Sequence, residues 1–316
     1  MKPKTPAILS ALFLTLCANH GFAQTPKTDS HQTTALAAVK IGDKWGYIDR
    51  TGMMVIQPQF SRADDFSDGL AYVFSSDKRG FIDKTGTMVI PQPWPTGAFS
   101  EGLAIMPVGD KVGYMDVTGK MVIAPQFGGA RPFSDGLANV TVDGFKQGYI
   151  DKAGTMVIAP QLPWGPFSEF REGLAAVNVG HKWGYIDKTG TMVIPPQFLG
   201  ATPFSEGLAT VKLGGKWGYI DKTGKMVIPP QFLWAYSFSE GLGAVKVGEK
   251  WGYIDKAGKM VIAPQFPGAR PFSEGLATVY VGHKNGYIDR TGKIVIAPQF
   301  DAAGPFSVAD ADSRLP

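Results

Sequence analysis

Cysteine is almost absent from this sequence, and its absence excludes two kinds of site. The 316 residues contain a single cysteine, Cys17, which lies in an N-terminal segment that resembles an export signal. The rest of the chain therefore has neither a disulfide framework nor a thiolate metal site.

Histidine is nearly as scarce, and the motifs of common enzyme sites are missing. His181 and His283 occupy matching Gly-His-Lys turns, and neither has a carboxylate or a second histidine at metal-ligand spacing. No Gly-x-Ser-x-Gly elbow, phosphate loop or dinucleotide fingerprint occurs. We therefore expect no enzyme activity, no metal and no other cofactor.

Excess charge and long apolar runs are also lacking. The formal net charge is +4, and two of the positive charges, Lys2 and Lys4, belong to the N-terminal segment. The remaining chain is almost neutral, so we expect no nucleic-acid partner. No apolar run reaches the roughly 20 residues that a membrane-spanning helix needs, so we expect no membrane span.

The N-terminal segment has the features of a signal peptide. Lys2 and Lys4 precede an apolar stretch at residues 8–16, and Gly21 and Ala23 are small residues at the −3 and −1 positions of a cleavage site before Gln24. We expect a signal peptide at 1–23 and a polar linker at 24–35. The protein should then be periplasmic or secreted.

Glycine and proline are abundant, with 40 and 24 residues, which favours short strands and many turns. From residue 36 to 307 the chain repeats itself eight times, and residues 308–316 form a polar tail. A Gly-aromatic-[Ile/Met]-Asp element marks each repeat, and its aspartates are 33 to 36 residues apart. A fixed period of this size indicates a tandem-repeat architecture.

Each repeat is predicted to form three antiparallel strands followed by a loop. In the sixth repeat the strands are 208–213, 217–221 and 225–229, separated by glycine turns. A unit of about 34 residues is too small to fold alone and must stack on its neighbours. We expect an all-β, solenoid-like open array that tolerates deletion of its last two units. A closed, propeller-like ring is the alternative.

The repeat resembles the WG-repeat family, also called KWG repeats. The element Lys-Trp-Gly-Tyr-Ile-Asp occurs at residues 44–49, 182–187, 216–221 and 250–255, and Phe-Ser-Glu-Gly-Leu-Ala occurs at 204–209 and 272–277. The resemblance implies a binding module without shared catalytic residues. Four units lack the tryptophan and carry Arg79, Val112, Gln147 or Asn285, so the unit does not need this tryptophan to fold.

The recurring polar residues are explained by turns. The aspartate of each repeat is expected to accept a backbone N–H two residues on, and the glycine three residues on is expected to have positive φ. The Ser-Glu-Gly element, as at 205–207, is predicted to be a second turn in which serine caps local N–H groups.

The tryptophans fall into two groups. Those of the WG element, Trp45, Trp183, Trp217 and Trp251, are expected to pack between repeats. A second group lies in the variable loops after units two, four and six, as Trp94, Trp164 and Trp234, with Tyr236 beside the last. These four residues are the candidate ligand-binding row, because variable loops on a fixed frame commonly bind. The alternative is that they seal gaps between repeats.

The sequence thus predicts an exported scaffold that binds a protein partner. A carbohydrate-binding protein of the envelope is the alternative, because a row of aromatic rings can also stack on sugars.

Overall fold

The computed structural model describes residues 34–76, 79–91, 97–142, 144, 146–161 and 168–309. The predicted signal peptide and nearly all of the linker, Trp94 and Trp164 lie outside these residues. Every regular element in the described part of the chain is a β-strand, and no helix there has the length and apolar character needed to cross a membrane.

Thirty strands follow one another in short antiparallel meanders. In chain order they are β1 (Ala35–Ile41), β2 (Lys44–Ile48), β3 (Met54–Phe60), β4 (Arg62–Ala63), β5 (Ala71–Phe74), β6 (Arg79–Ile82), β7 (Met88–Pro91), β8 (Leu103–Val108), β9 (Lys111–Asp116), β10 (Met121–Phe127), β11 (Gly129–Ala130), β12 (Ala138–Val142), β13 (Lys146–Ile150), β14 (Met156–Gln161), β15 (Leu174–Val179), β16 (Lys182–Asp187), β17 (Met192–Phe198), β18 (Gly200–Ala201), β19 (Leu208–Leu213), β20 (Lys216–Asp221), β21 (Met226–Phe232), β22 (Trp234–Ala235), β23 (Gly243–Val247), β24 (Lys250–Ile254), β25 (Met260–Phe266), β26 (Gly268–Ser273), β27 (Leu276–Val281), β28 (Lys284–Ile288), β29 (Ile294–Phe300) and β30 (Ala302–Val308).

The strands form eight separate sheets, one for each repeat, which we call blades one to eight. The predicted all-β, eightfold repeat is confirmed. In six blades the segment predicted to be a loop is instead the first strand of the next blade, as β22 is in the sheet β22-β23-β24-β25, whereas the described residues of blades three and five form three-stranded sheets. Sequence patterning missed this strand because proline and glycine interrupt it and only two of its residues pair in most blades.

The blades close into a ring, so the structure is an eight-bladed β-propeller. Blade one has the order β3-β2-β1-β30, in which the last strand of the chain pairs antiparallel with the first. Phe306 of β30 lies opposite Ala37 and packs on Tyr287 of blade eight, with ring centroids 4.9 Å apart. The open array expected from the sequence is wrong, and the ring that was its alternative is found. The strand that closes the ring, β30, comes from the end of the chain and completes blade one as its first strand.

The hydrophobic core lies between blades rather than within them. The aromatic residue of each Gly-aromatic element is fully buried and packs against a phenylalanine of the next blade, as Tyr219 packs on Phe238 at 4.8 Å. Its hydroxyl donates a 2.9 Å hydrogen bond to the carbonyl oxygen of Tyr236. Six further tyrosines make the same bond to the next blade, namely Tyr47, Tyr114, Tyr149, Tyr185, Tyr253 and Tyr287.

The glycine of the WG element is required by a close backbone approach. The fourth strand of each blade bulges through its proline residues, and its backbone passes over this glycine. A Cβ placed on Gly218 would lie 2.5 Å from the carbonyl oxygen of Ile228. Any side chain there would push the fourth strand away, so the element is Gly in every repeat.

The aspartate turn is confirmed. At Asp221 the carboxylate accepts the N–H of Thr223 at 2.9 Å and the Thr223 hydroxyl at 2.6 Å. Gly224, three residues after the aspartate, has φ of 84°. A side chain with these local partners serves the turn, which accounts for its recurrence in every blade.

The Ser-Glu-Gly element is a turn, but its serine does not cap local groups. Ser205 donates a 2.7 Å hydrogen bond to the carbonyl oxygen of Phe238 in the next blade. Glu206 and Gly207 both have positive φ, as in a type I′ turn. The Glu206 carboxylate accepts the N–H of Gly241 in the next blade at 2.9 Å. The element therefore joins neighbouring blades, and the local cap expected from the sequence is wrong.

These links show which strand lies nearest the axis of the ring. Neighbouring blades converge towards the axis, and the bond from Ser205 to Phe238 joins their first strands directly. The fourth strands carry an exposed valine, such as Val227, on the outside. The first strands therefore line the centre, and the variable segments of the sequence lie there.

We expect removal of β30 to destroy the fold. A chain that ends at Phe300 loses the pairing with β1 and the burial of Phe306, and both faces at the seam are then exposed. It should aggregate or lose cooperative thermal unfolding, measured by size-exclusion chromatography and circular dichroism. A chain that ends at Ala309 is the control and should melt like the full chain. Cooperative melting of the shorter chain would contradict ring closure.

We expect the fold to be lost in alkali. Burial raises the pKa of the seven hydrogen-bonded tyrosines above the usual value of 10.0. Above pH 10 the unfolded chain therefore releases protons that the folded chain retains, and unfolding gains about 1.4 kcal/mol per tyrosine for each pH unit. Urea melts and absorbance at 295 nm between pH 8 and 12 should show ionisation and unfolding together. Gradual ionisation near pH 10 in an intact fold would contradict this assignment.

Candidate functional site

The candidate row is only partly within the described residues. Trp94 and Trp164 lie outside them, so their positions in the row stay predictions. Trp234 lies in β22, the first strand of blade seven, and Tyr236 follows that strand directly, with its N–H bonded to the Ala244 carbonyl oxygen. The two residues are neighbours in the chain, but their rings contact different tryptophans, Trp217 and Trp251.

Trp234 is half-exposed and rests on a buried tryptophan of the preceding blade. Its side chain is 46% exposed, and its ring lies 5.4 Å from that of Trp217. Gly200 lies against the Trp217 ring, where a Cβ would be 3.0 Å from the ring. Glycine at this position therefore makes room for Trp217. Trp234 both packs between blades and leaves much of its surface to solvent.

The indole nitrogen of Trp217 is buried without a hydrogen-bond partner in the described part of the chain. The Lys212 ammonium lies 5.9 Å from the centre of the ring, over its face. A buried donor without an acceptor costs about 1–3 kcal/mol. The cost of the unpaired Trp217 N–H is offset because the packed indole buries a large apolar surface.

Tyr236 is half-buried and lies with Trp251 of its own blade on the side of blade seven next to blade eight. Its ring stacks on Trp251 at 5.2 Å with an interplanar angle of 25°. Its backbone is held by a bond from its N–H to the Ala244 carbonyl oxygen and by the Tyr219 hydroxyl on its own carbonyl oxygen. The position of this ring is therefore fixed by the frame of the propeller.

The four WG tryptophans pack between blades, as expected. Trp217 is 9% exposed and belongs to an inter-blade core, and Trp45, Trp183 and Trp251 are partly buried against such cores. These four rings stabilise the contacts between blades. Among the described residues, Trp234 is the exposed tryptophan.

The two faces of the ring differ in their turns. One face carries the Ser-Glu-Gly and aspartate turns. The other, which we call the lysine-turn face, carries the turns between second and third strands and the connectors between blades. On the lysine-turn face the third strand begins with a basic residue in every blade: Lys44, Arg79, Lys111, Lys146, Lys182, Lys216, Lys250 and Lys284.

An apolar patch lies on the lysine-turn face of blades six and seven. Five large apolar side chains there are 43% to 51% exposed: Leu199, Leu213, Leu233, Trp234 and Val247. Main-chain bonds from Leu199 to Lys212 and from Leu233 to Lys246 hold each connector beside the end of a second strand. We call these five residues the apolar patch.

Other blades do not continue the patch along their connectors. The residue that follows Gln-Phe is Ser61, Gly128, Pro267 or Asp301 in blades whose connectors are described. Ile41 and Val108 are isolated exposed residues at strand ends of blades one and three. Sequence reasoning missed the patch, although Gln-Phe-Leu at residues 197–199 and 231–233 was a visible signal.

The surroundings of the apolar patch are basic. Blades five to seven supply five lysines on this face, which are Lys182, Lys212, Lys216, Lys246 and Lys250. Glu249 is the acidic residue among their turns, and its carboxylate is 3.7 Å from the Lys246 ammonium. The surface is therefore apolar at its centre and positive at its rim. No three His, Cys, Asp or Glu side chains of the described residues are grouped to hold a metal.

We expect the unpaired indole nitrogen to make Trp217 replaceable by another ring. Trp217→Phe should change the free energy of unfolding by less than about 1 kcal/mol, because lost packing is offset by removal of the unpaired donor. Trp217→Ala should cost about 3–5 kcal/mol. Urea denaturation measures both. Equal destabilisation by the two substitutions would show that the N–H is satisfied.

The comparisons with known proteins agree with the fold. The eukaryotic initiation factor of one crystal structure has a TM-score of 0.56 and 11% identity, covering 89% of this chain and 100% of that chain. Apo AztD from Citrobacter koseri has a TM-score of 0.47 and 13% identity, covering 86% and 95%. BamB from Moraxella catarrhalis has a TM-score of 0.44 and 11% identity, covering 83% and 87%. At such identities the first likeness shows the fold alone, and the other two carry no further argument.

No curated protein sequence matches the chain. The family described as "WG containing repeat" matches seven segments, at residues 45–78, 113–144, 148–183, 183–217, 217–251, 251–284 and 286–307. These segments contain the seven buried, hydrogen-bonded tyrosines and seven of the eight WG-element glycines, and they cover more than half of the sequence. The chain therefore belongs to the WG-repeat family.

Proposed function

We propose that this protein is an exported β-propeller scaffold that binds an acidic protein partner through the apolar patch, without catalysis. The observation that supports it is the grouping of five exposed apolar side chains on two adjacent blades. Contiguous apolar surface rimmed by polar residues is typical of protein–protein interfaces. Scattered exposed apolar residues, by contrast, are ordinary on any protein.

Trp234 is the natural anchor of the interface. Tryptophan is over-represented among the residues that contribute most to binding. Its ring packs on the ring of Trp217, and its backbone lies in a two-residue strand in which Trp234 pairs with Lys246. A supported ring loses little conformational freedom on binding, so more of its contact energy remains as affinity.

The charge of the rim indicates the chemistry of the partner. Three rim lysines, Lys182, Lys216 and Lys250, are exposed on the turns around the patch. A partner with acidic side chains around an apolar segment would meet opposite charge at the rim and apolar contact at the centre. Complementary charge raises the association rate and selects against basic partners.

The N-terminal sequence supports export. The basic residues, apolar stretch and small residues before Gln24 are those of a signal peptide. A cysteine-free chain after that point has no thiol to oxidise outside the cytoplasm. The absence of catalysis is proposed because the recurring polar side chains, such as Asp221, Ser205 and Glu206, have turn or inter-blade partners.

Binding can be tested by cross-linking the protein in its native cells, identifying the captured protein and measuring its affinity. Trp234→Ala should weaken binding about 30-fold, since an anchor residue contributes roughly 2 kcal/mol. Val227→Ala, on the outer strand of blade six, is the control with similar exposure and should bind normally. Equal affinity of the two variants would rule out the apolar patch.

A charge-reversal pair tests the rim. Lys216→Glu lies on the lysine-turn face and should slow association, whereas Lys225→Glu lies on the opposite face of the same blade and should not. Raising the salt concentration should weaken the wild type more than Lys216→Glu. If both lysine variants associate at the wild-type rate, the partner is not selected by the basic rim.

A further inference from the structure

A cavity of about 290 Å³ lies between blades seven and eight, close to the inner strands. It is separate from the exposed surface of the apolar patch and has a different lining. Its wall carries both aromatic and polar side chains, and the principal ones are Tyr236, Trp251, Arg270, Thr278, Tyr280 and Asn285. Most of the wall belongs to blade eight.

The cavity coincides with a departure from the repeat. Asn285 stands where four other units have the WG tryptophan, and it pairs with Phe300 as Trp217 pairs with Phe232. Its amide nitrogen donates to the carbonyl oxygen of Asp301 at 3.2 Å. An asparagine is much smaller than an indole, so the cavity is wider at the side of blade eight where Asn285 lies beside the connector to blade one. The same nitrogen also donates to the carbonyl oxygen of Phe300 at 3.5 Å, so the amide oxygen is the group of Asn285 that remains to accept a bond from a ligand.

One wall of the cavity is an aromatic platform. The stacked rings of Tyr236 and Trp251 are both partly buried, and Tyr280 on β27 is 37% exposed. Ligand sites are commonly lined by aromatic rings with a few fixed polar groups. Such rings suit the apolar face of a sugar, whose hydroxyl groups then reach polar side chains at the edge.

The charge of the cavity comes from Arg270. Its guanidinium makes no hydrogen bond or ion pair among the described residues, but its charge acts on Asp65 of blade two, and both residues line a second, neighbouring cavity. Gly304 lies against the Asp65 carboxylate, which leaves no room for a side chain at that position. Burial raises the pKa of Asp65 to about 6, so its carboxylate is a weak counter-charge in mildly acidic solution. A planar guanidinium without a partner suits a carboxylate ligand, which it can bind through two hydrogen bonds.

We propose that this cavity binds a single sugar ring that carries a carboxylate, of the hexuronic acid type. The ring stacks on the Tyr236–Trp251 platform, the carboxylate meets Arg270, and hydroxyl groups reach Asn285 and Tyr280. The volume corresponds to roughly ten water molecules, which fits one sugar ring and not an extended chain of them. An acidic polysaccharide would therefore be bound at a terminal residue.

Saturation-transfer NMR and calorimetry with glucuronate and galacturonate test the site directly. The wild type should bind at least one of them saturably, and methyl glucoside should bind at least tenfold more weakly. Arg270→Gln should weaken binding at least tenfold. Asn285→Trp, which restores the tryptophan of the repeat, should abolish it. Acetate at equal concentration should not compete, because the platform requires a ring.

Arg131 provides the matched control. It occupies the same position in the first strand of blade four, and its carbonyl oxygen accepts a tyrosine hydroxyl as that of Arg270 does. Arg131→Gln should bind like the wild type. No saturable binding by the wild type, equal binding of methyl glucoside, or equal effects of the two arginine substitutions would overturn the proposal. If Asn285→Trp fails to fold, the arginine pair still decides the question.

The sugar site and the protein interface are separable. Trp234→Ala should retain uronate binding, because Trp234 does not line the cavity. A loss of partner binding with uronate binding intact would leave this proposal standing. A wild type that binds no uronate, with partner binding weakened in Trp234→Ala, would remove the sugar site and leave the proposed function standing.

Discussion

The structure depends on the burial of each blade against its two neighbours. A blade is a small sheet whose buried aromatic residues, such as Tyr219, find their partners in the next blade. No blade can therefore present a finished core alone, and an array with two free ends would leave two apolar faces in water. The pairing of β30 with β1 removes both ends at once. Closure is a requirement of where the core lies, and not a late addition to a stable array.

The packing of each blade on its neighbour also fixes the polar side chains that join the blades. The tyrosine hydroxyls and the serine and glutamate side chains of the Ser-Glu-Gly turns bond to backbone groups one blade further on. Lysines and arginines that follow the aspartate turns add ion pairs, such as that of Lys256 with Glu206 at 3.1 Å. Exposed pairs of this type contribute little individually. Together with the hydrogen bonds between blades, these ion pairs recur around the ring and hold the first strands in a defined position.

Residues that differ between blades lie at positions that the packing between blades does not constrain. The connectors and first strands need one phenylalanine and one turn per repeat, and the residues between them are free to differ. In blades six and seven they supply the apolar patch, and in blade eight they supply Arg270 beside the space left by Asn285. Trp217 and Asn285 occupy equivalent positions on third strands, so one position serves packing in one blade and forms a cavity in another.

Much of the local structure was predictable, because the interactions that determine it are close in sequence. The aspartate turn at Asp221 uses atoms within four residues, and the strands on either side follow from β-branched residues between glycines. The first strand of each blade was not predictable in the same way. Residues such as Trp234 and Ala235 lie among prolines and glycines, and they form a strand because the neighbouring second strand offers its free edge.

The candidate site was likewise predictable in part. Trp234 and Tyr236 were identified because they depart from the repeat, and departure is visible in a sequence. Leu199, Leu213 and Val247 were missed because their exposure depends on which ends of which strands meet on one face. By itself the sequence determined the repeat, its eight units, its turns and its membership of a family, since these follow from local chemistry and spacing. Only the tertiary structure decided closure, the role of the serine and acidic turns, and the grouping of the patch and the cavity, because each joins residues one blade apart or at opposite ends of the chain.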